Sequence, residues 1–244
     1  MEDALFDAMY RDADRHWWFR ARWRIVFSLL DRCHAPGGRV LDLGCGVGIH
    51  LKLLSRYGEV WGADSSPKAL EYCRRRFQGR LDQVELPDRA PYPDASFDLI
   101  VMFDVLEHIQ DDAAALRRVA RLLNPGGILA LTVPALPGLW SQHDVEHQHF
   151  RRYLRPGLRS LLQDAGLRIL KLSYMNTFLL PAMAASRAFL RPATYSARDL
   201  SPGTRGPARI LEFIFASERH WLKLISFPLG GSLVAICRKP QGKA

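Results

Sequence analysis

The segment that most constrains the fold of this chain is residues 40–48, Val-Leu-Asp-Leu-Gly-Cys-Gly-Val-Gly. Its apolar start predicts a buried strand, and its glycines predict a tight turn into a helix. Glycine has no Cβ, so the backbone of such a turn can approach a ligand closely. The start of the following helix offers unpaired N–H groups to an anionic group. The segment therefore predicts a site for a small charged ligand.

Two classes of cofactor use such a turn, and the neighbouring residues separate them. The dinucleotide pattern G-x-G-x-x-G requires a third glycine where this chain has Ile49. Asp42 precedes Gly44 by two residues, and its carboxylate would repel a pyrophosphate but attract a cation. S-adenosylmethionine carries an ammonium, a sulfonium and a single carboxylate, so it suits this turn electrostatically. Asp64, after the next predicted strand, is placed to accept hydrogen bonds from ribose hydroxyls, which both classes have.

Several blocks of the sequence, in order, resemble the class I S-adenosylmethionine-dependent methyltransferases. They are "VLDLGCGVG", "GADSS", "PYPDASFDLIVMFDVLEHIQDD" and "RLLNPGGILALTVPA", and they cover residues of about 39 to 135. The resemblance implies S-adenosylmethionine as the cofactor, bound by the glycine turn, the acid after the second strand and the ends of later strands. The implied contacts fall on Asp42, Gly44, Cys45, Gly46, Asp64, Ser65, Phe103 and Asp104, with Glu85 as a partner for the adenine.

Apolar runs separated by helical patterns predict an α/β fold. Together with the resemblance, they predict a Rossmann-like, seven-stranded, mostly parallel sheet with helices on both faces. Strands are predicted over 39–43, 59–63, 81–85, 97–103, 128–133, 167–172 and 232–237, with helices over 49–57, from Ser66-Pro67, over 111–123 and over 156–165. The predicted units are an N-terminal helical lid (1–36), the cofactor-binding core (37–174), an apolar helical insertion before the last strand (175–231), and that strand with a basic tail (232–244).

The composition and the first residues of the chain bear on where in the cell the protein is expected. The chain has 244 residues, 48% of them hydrophobic, and its four cysteines form no C-x-x-C pair. The first residues lack a signal-peptide pattern and no apolar run reaches transmembrane length, so we expect a cytoplasmic protein. The net charge of +9 fits an anionic partner, and it fits equally well arginines that are simply scattered over helices.

A long polar loop, residues 134–153, follows the fifth strand at the end of the sheet where such folds bind ligands. If the acceptor is a hydroxyl, His149 is the expected general base, because imidazole titrates near neutral pH, and Asp144 is an orienting acid or alternative base. Both residues could instead only pin the loop. Glu107-His108, after the fourth strand, could also be catalytic, and the resemblance places this pair beside the substrate. We expect no metal, since the histidines of the loop lack a matched second ligand group.

Two further segments bear on the partner. Aromatic and basic residues interleave in "RHWWFRARWR", and a helix would place Phe19 and Trp23 on one face. This cluster could bind nucleic acid, or it could form a lid over the cofactor with its arginines facing solvent or substrate; similar methyltransferases begin with such a helix, which favours the lid. The apolar insertion either packs on the sheet edge as a cap or forms an amphipathic element at the inner membrane face.

These observations predict an S-adenosylmethionine-dependent methyltransferase that transfers the methyl group to a hydroxyl of a small-molecule or lipid-linked acceptor. The segment "LWSQHDVEHQHFRRY" resembles a subset of the family that acts on such metabolites. The alternatives are a nucleic-acid methyltransferase and a non-catalytic protein that binds S-adenosylmethionine. A nicotinamide oxidoreductase would explain Asp64, but neither Asp42 nor Ile49. The sequence does not give the oligomeric state.

Overall fold

The computed structural model of the chain describes residues 7, 10, 11, 14–34, 37–182 and 207–241. The middle of the predicted insertion, residues 183–206, therefore lies outside the described residues, as do parts of the predicted lid and the last three residues of the predicted tail.

A seven-stranded sheet forms the centre of the fold, with the strand order β3-β2-β1-β4-β5-β7-β6. The strands are β1 Arg39–Leu43, β2 Glu59–Asp64, β3 Arg80–Gln83, β4 Phe97–Phe103, β5 Leu123–Pro134, β6 Arg168–Met175 and β7 Ser232–Arg238. The first five pair in parallel, whereas β7 lies antiparallel between β5 and β6. The predicted fold class, a Rossmann-like and mostly parallel seven-stranded sheet, is confirmed.

The sequence of β4 explains its central position. Every residue of this strand except Asp98 is buried, as expected for a strand covered on both faces of a parallel sheet. Asp98 stands at the start of the strand, where its carboxylate accepts hydrogen bonds from the Arg39 backbone N–H at 2.8 Å and from the Asn124 amide at 2.7 Å. The one polar residue of the strand therefore ties β4 to its two neighbours.

The helices of the described chain have recognisable starts. They are α1 Trp17–Leu30, α2 Leu51–Leu54, α3 Pro67–Arg76, α4 Asp112–Leu122, α5 Gln142–Glu146, α6 Arg155–Asp164 and α7 Pro207–Leu222, with 3-10 turns at Ser55–Tyr57, Leu106–His108 and Pro137–Leu139. Ser66 caps α3, since its hydroxyl accepts a hydrogen bond from the Ala69 N–H at 3.2 Å, and Asp111 caps α4 in the same way. These two starts agree with the sequence.

Several predicted bounds were wrong, and the clearest differences concern two element starts and one loop. The first core helix starts at Leu51 and not at residue 49, because the turn continues through Gly48, whose φ is +80°. Strand β5 starts at Leu123, which pairs with Phe97 before the ladder breaks and resumes at residue 128. The polar loop 134–153 is not irregular throughout, because it contains α5.

Helix α7 covers the N-terminal helix α1. The guanidinium groups of Arg20 and Arg24 on α1 pair with the Glu212 carboxylate on α7, at 3.3 and 3.1 Å. Trp18 and Phe215 lie beside each other across the contact, with ring centroids 6.4 Å apart. The described end of the insertion therefore packs on the predicted lid helix. None of the helices in the described ranges has the length and apolar character needed to span a bilayer.

Candidate functional site

The glycine turn joins β1 to α2 and is held by β2. The backbone N–H groups of Gly44 and Cys45 both donate to the carbonyl oxygen of Ala63, at 2.7 and 3.0 Å. Gly44 has a φ of +78°, and a Cβ there would lie 2.3 Å from a methyl of Val105, so a larger residue does not fit. At Gly46, by contrast, a Cβ would meet no atom within 4 Å. The turn is tightly packed at its start and open at Gly46.

Asp42 is a buried carboxylate beside this turn. The residue is fully buried, and neither of its carboxylate oxygens has a hydrogen-bond partner in the part of the chain that the structure describes. Nδ1 of His50 lies 3.6 Å from Oδ2 of Asp42, which is too long for a hydrogen bond. A buried charge without a partner is costly, so this carboxylate is suited to a ligand cation.

Asp64 ends β2 and binds the glycine turn. Its carboxylate accepts hydrogen bonds from the backbone N–H groups of Gly46 at 2.8 Å and Ser66 at 2.9 Å. Burial raises the pKa of Asp64, while these two hydrogen bonds act in the opposite direction. Ser65 is exposed next to it, and its carbonyl oxygen accepts a hydrogen bond from the Gln83 amide at 3.2 Å. Asp64 thus shapes the turn and lies at its open side.

The other predicted cofactor residues differ in their surroundings. The Cys45 thiol is buried, and the hydrogen bond with the Cys73 thiol, together with burial, raises its pKa well above its usual value. Its backbone is therefore the part that can reach a ligand. Glu85 is exposed, and its carboxylate lies 3.7 Å from the guanidinium of Arg89. The structure thus gives Glu85 a surface partner, and its contact with an adenine stays a prediction.

Phe103 is the last residue of β4, and Asp104 follows it. The Phe103 ring meets the edge of His50, with ring centroids 5.0 Å apart. Asp104 has a φ of +55°, and its carboxylate accepts a hydrogen bond from the Thr132 hydroxyl at 2.9 Å and pairs with the guanidinium of Arg22. The end of β4 is therefore fixed by polar contacts.

Arg22 corrects the expectation that the arginines of α1 face solvent or substrate. Its side chain is only 3% exposed, and its guanidinium lies over the Trp18 ring, 4.4 Å from the centroid. Burial lowers the pKa of Arg22 to about 9, so the group remains a cation at neutral pH. Phe19 and Trp23 do share a face, with stacked rings 6.2 Å apart. Arg22 thereby anchors the helix to the end of β4 through Asp104.

Asp144 is the centre of a buried network in the polar loop. The Arg152 guanidinium binds both of its oxygens, with Nε–Oδ1 at 2.8 Å and Nη2–Oδ2 at 2.9 Å. The same carboxylate accepts a hydrogen bond from the Ser141 N–H at 2.8 Å and lies 2.9 Å from Nδ1 of His149. Burial alone would raise the pKa of Asp144, but the hydrogen bonds from His149 and Arg152 outweigh it and hold the pKa well below its usual range. Asp144 is therefore ionised.

The Asp144 carboxylate determines the tautomer of His149. An ionised carboxylate only accepts hydrogen bonds, so Nδ1 of His149 must carry the proton. In the neutral form of the ring, the lone pair then lies on Nε2. The His149 and His108 rings meet edge to face, with centroids 4.7 Å apart. Burial, followed by the nearby His149, lowers the pKa of His108 to about 4, so this ring is neutral near pH 7. The structure thus brings all three predicted catalytic residues together.

Glu107 adds a carboxylate to the two imidazoles. It is fully buried, and burial raises its pKa to about 8. Glu107, His108 and His149 each offer one ligand atom, and these three atoms lie within 4.8 Å of one another, close enough to hold a metal ion. The sequence suggested Glu107-His108 as a catalytic pair but no metal, because nothing in the local pattern brings these residues to His149.

Comparison with known proteins identifies methyltransferases as the relatives of this chain. A family model described as a methyltransferase domain matches residues 16–172. A probable S-adenosylmethionine-dependent methyltransferase of Mycobacterium tuberculosis is 33% identical over 155 residues, which are 62% of this chain and 56% of that protein. The match thus spans little more than half the length of that relative. A ubiquinone biosynthesis O-methyltransferase of Xanthomonas campestris is 30% identical over 177 residues, 70% of this chain and 67% of that protein.

Solved structures share the fold at lower identity. A chain from the complex between the Haloferax volcanii Trm112 methyltransferase activator and a methyltransferase superposes with a TM-score of 0.64 at 20% identity, covering 99% of this chain and 96% of that one. Phosphoethanolamine N-methyltransferase 2 of Haemonchus contortus, solved with S-adenosyl-L-methionine, gives a TM-score of 0.60 at 20% identity over 90% of this chain and 53% of that one.

Proposed function

The chain belongs to the S-adenosylmethionine-dependent methyltransferases, and we propose that it transfers the methyl group to a hydroxyl of a small-molecule or lipid-linked acceptor. The observation that carries the proposal is the pair of His149 and Asp144, joined at 2.9 Å next to the end of β4. The O-methyltransferase named among the relatives supports an oxygen as the methylated atom.

The residues of the glycine turn suit S-adenosylmethionine. Asp42 has two unpartnered carboxylate oxygens for the ammonium group, and the open backbone at Gly46 leaves room for a ligand. Asp64, at the open side of the turn, is proposed to bind the ribose hydroxyls. The remaining proposed contacts come from Gly44, Cys45, Ser65, Glu85, Phe103 and Asp104. When bound, S-adenosylmethionine supplies a methyl group on a sulfonium that leaves as a neutral thioether.

His149 is proposed to take the proton from the acceptor hydroxyl. Its Nε2 lone pair is free because Nδ1 donates to Asp144, which also stabilises the imidazolium that forms. His108 lies against this ring and is neutral, so it can share the acceptor hydrogen bond. The other task of the protein is to align acceptor and methyl group and to exclude water. The half-buried Trp17, Trp18 and Phe19 and the buried Trp23 of α1 are proposed to serve this task as a lid.

The substitution Asp42→Asn tests the cofactor site. It removes one charge-assisted hydrogen bond to the ammonium, worth about 1.5–3 kcal/mol, so affinity for S-adenosylmethionine should fall roughly 10- to 100-fold. Thermal stability without ligand should not fall, because no described residue forms a hydrogen bond with the buried carboxyl group that is replaced. Isothermal titration calorimetry with S-adenosylmethionine and a thermal melt measure both quantities. The exposed Asp88→Asn is the control, and equal affinity in both variants would remove Asp42 from the site.

Release of the demethylated cofactor tests the reaction itself. The protein, incubated with S-adenosylmethionine and a lipid or polar extract, should release S-adenosylhomocysteine and add one methylene mass to a defined compound. Salt-insensitive turnover on such an extract is expected. Turnover only on nucleic acid, with steep salt dependence, would support the nucleic-acid alternative. Binding of S-adenosylmethionine without release of product from any extract would leave a non-catalytic binding protein.

We further propose that α7 brings the protein to an anionic membrane surface. A stripe of exposed apolar side chains runs along the outer side of α7 and continues to Leu224, two residues beyond the end of the helix. Its members are Ile210 (61% exposed), Phe213 (74%), Trp221 (54%) and Leu224 (80%). Arg209 and Lys223 flank the stripe, while Glu212 is paired with arginines of α1 and Glu218 is buried. An apolar stripe with basic flanks is the pattern of an interfacial helix.

Flotation with vesicles containing phosphatidylglycerol tests this surface. The double substitution Phe213→Ser with Trp221→Ser removes two side chains worth about 1.5–3 kcal/mol each when buried, so the bound fraction should fall at least tenfold. Leu53→Ser, which changes an apolar side chain that is 41% exposed on another helix, should bind like the wild type. Wild-type protein that stays at the bottom of the gradient with anionic vesicles would refute the proposal.

A further inference from the structure

A carboxylate and two imidazoles meet where the end of β4 faces the polar loop. Glu107 and His108 belong to the 3-10 turn Leu106–His108, and His149 approaches from the loop after α5. One ligand atom from each of the three lies within 4.8 Å of the other two. Two imidazole nitrogens and one carboxylate oxygen are a frequent ligand set for catalytic metal ions in proteins.

Among the described residues, none explains the burial of the Glu107 carboxylate. Neither oxygen forms a hydrogen bond with another residue of the described ranges, although its own backbone N–H acts on it as a donor. The two nearest cations are committed elsewhere, because Arg22 pairs with Asp104 and Arg152 pairs with Asp144. An ionisable group buried in this way costs free energy unless a ligand binds it.

The His149 imidazole is oriented for coordination, and the His108 ring packs against it. Asp144 accepts the Nδ1 proton of His149 at 2.9 Å, which leaves the Nε2 lone pair for a ligand. A carboxylate behind a histidine is the usual support of a metal-binding imidazole. The His108 ring lies edge to face against the His149 ring, with centroids 4.7 Å apart, so the two imidazoles are packed side by side.

From this geometry we propose that Glu107, His108 and His149 bind one divalent transition-metal ion, of the class of Zn²⁺ or Mn²⁺. Three protein ligands leave at least one coordination position open. The site adjoins Asp104 at the end of β4, where the cofactor is proposed to lie. We therefore infer that an oxygen of the acceptor would occupy the open coordination position.

This inference rests on the proposed hydroxyl methylation and changes how the hydroxyl is activated. A bound cation lowers the pKa of a coordinated hydroxyl, so its proton passes to water. The oxygen then forms its bond to the methyl carbon while the carbon–sulfur bond breaks, and that electron pair neutralises the sulfonium. The Nε2 atom of His149 has a single lone pair, so it either binds the ion or accepts the proton.

Calorimetric titration with the metal salts alone tests the site. The full chain, treated with a chelator and dialysed, is titrated with ZnCl₂, MnCl₂ and MgCl₂. We expect one Zn²⁺ or Mn²⁺ per chain, and at least tenfold weaker binding by Glu107→Gln. This variant keeps the shape of the side chain and replaces the buried ionisable carboxyl group with a neutral amide, so a thermal melt should show an intact fold. Glu146→Gln, an exposed carboxylate of the same loop, should bind the ion like the wild type.

A second measurement covers the case in which Glu107→Gln fails to fold. Wild-type protein loaded with Co²⁺ should show visible ligand-field absorption, and this absorption should be lost in His108→Ala. Wild-type protein that binds no ion in stoichiometric amount, or a folded Glu107→Gln that binds it equally well, would overturn the proposal. Methyl transfer by chelated protein would refute the role of the ion and leave the proposed function intact. Metal binding without methyl transfer to any extract would refute the proposed function and leave the metal site intact.

Discussion

His149→Ala should lower turnover by about 10²- to 10⁴-fold, the usual contribution of a positioned general acid or base. The effect should fall on kcat, because the imidazole acts on the acceptor hydroxyl and not on the cofactor. S-adenosylmethionine affinity should be unchanged, since Asp42 and the glycine turn are untouched. The assay is S-adenosylhomocysteine release with the extract that supports the wild-type reaction, combined with calorimetry of cofactor binding.

The control for this substitution is His220→Ala, which removes an exposed histidine on α7. Its turnover should equal that of the wild type. His149→Ala that turns over at the wild-type rate with intact cofactor binding would refute any role for this imidazole in activating the acceptor. Loss of cofactor binding together with turnover would instead indicate that His149 only holds the loop.

Asp144→Ala should lower the free energy of unfolding by about 3–5 kcal/mol, the cost of breaking a buried ion pair on one side. The Arg152 side chain is 5% exposed, and without Asp144 its remaining partner is the carbonyl oxygen of Ala135 at 3.1 Å. The hydrogen bond from the Ser141 N–H, which is one half of the capping box of α5, is lost at the same time. Turnover should fall too, because His149 loses the acceptor that fixes its tautomer.

Urea unfolding measures the stability change, and two further variants divide the effect. Asp144→Asn keeps the shape and one acceptor oxygen, so it should lose less stability than the alanine variant but still lower kcat. Asp164→Ala, in an exposed pair with Ser160, should change stability by less than about 0.5 kcal/mol. An Asp144→Ala protein as stable as this control would mean that the buried pair with Arg152 contributes nothing.

The sequence predicted those parts of the fold that depend on local pattern. Strand β4 has the predicted bounds because it is a continuous apolar run, and Ser66 caps α3 because a hydroxyl before proline is a local signal. The start of β5 was misjudged, since its pairing at Leu123 depends on the partner strand and not on the residues of β5 themselves.

The sequence identified the residues of the candidate site one by one, but it did not predict which of them contact one another. The arginines of α1 look equivalent in the sequence, and only the position of Asp104 decides that Arg22 is the buried one. Glu107 and His149 are distant in the sequence, so no spacing rule joins them, although each was noted as a candidate. Arg152 could have been suspected as the partner of Asp144 within one loop, yet its bidentate contact depends on the course of the loop through α5.

The antiparallel position of β7 between β5 and β6 has a consequence for how the chain is made. Strand β6 reaches the sheet only through β7, and roughly 55 residues separate the two strands, which takes several seconds at about 5–20 residues per second of synthesis. During that interval one edge of β5 and all of β6 have no partner in the sheet. An unpaired edge of this kind is a site for aggregation. The nascent chain is therefore a natural client for chaperones at this stage, and slow codons within the insertion would prolong its exposure.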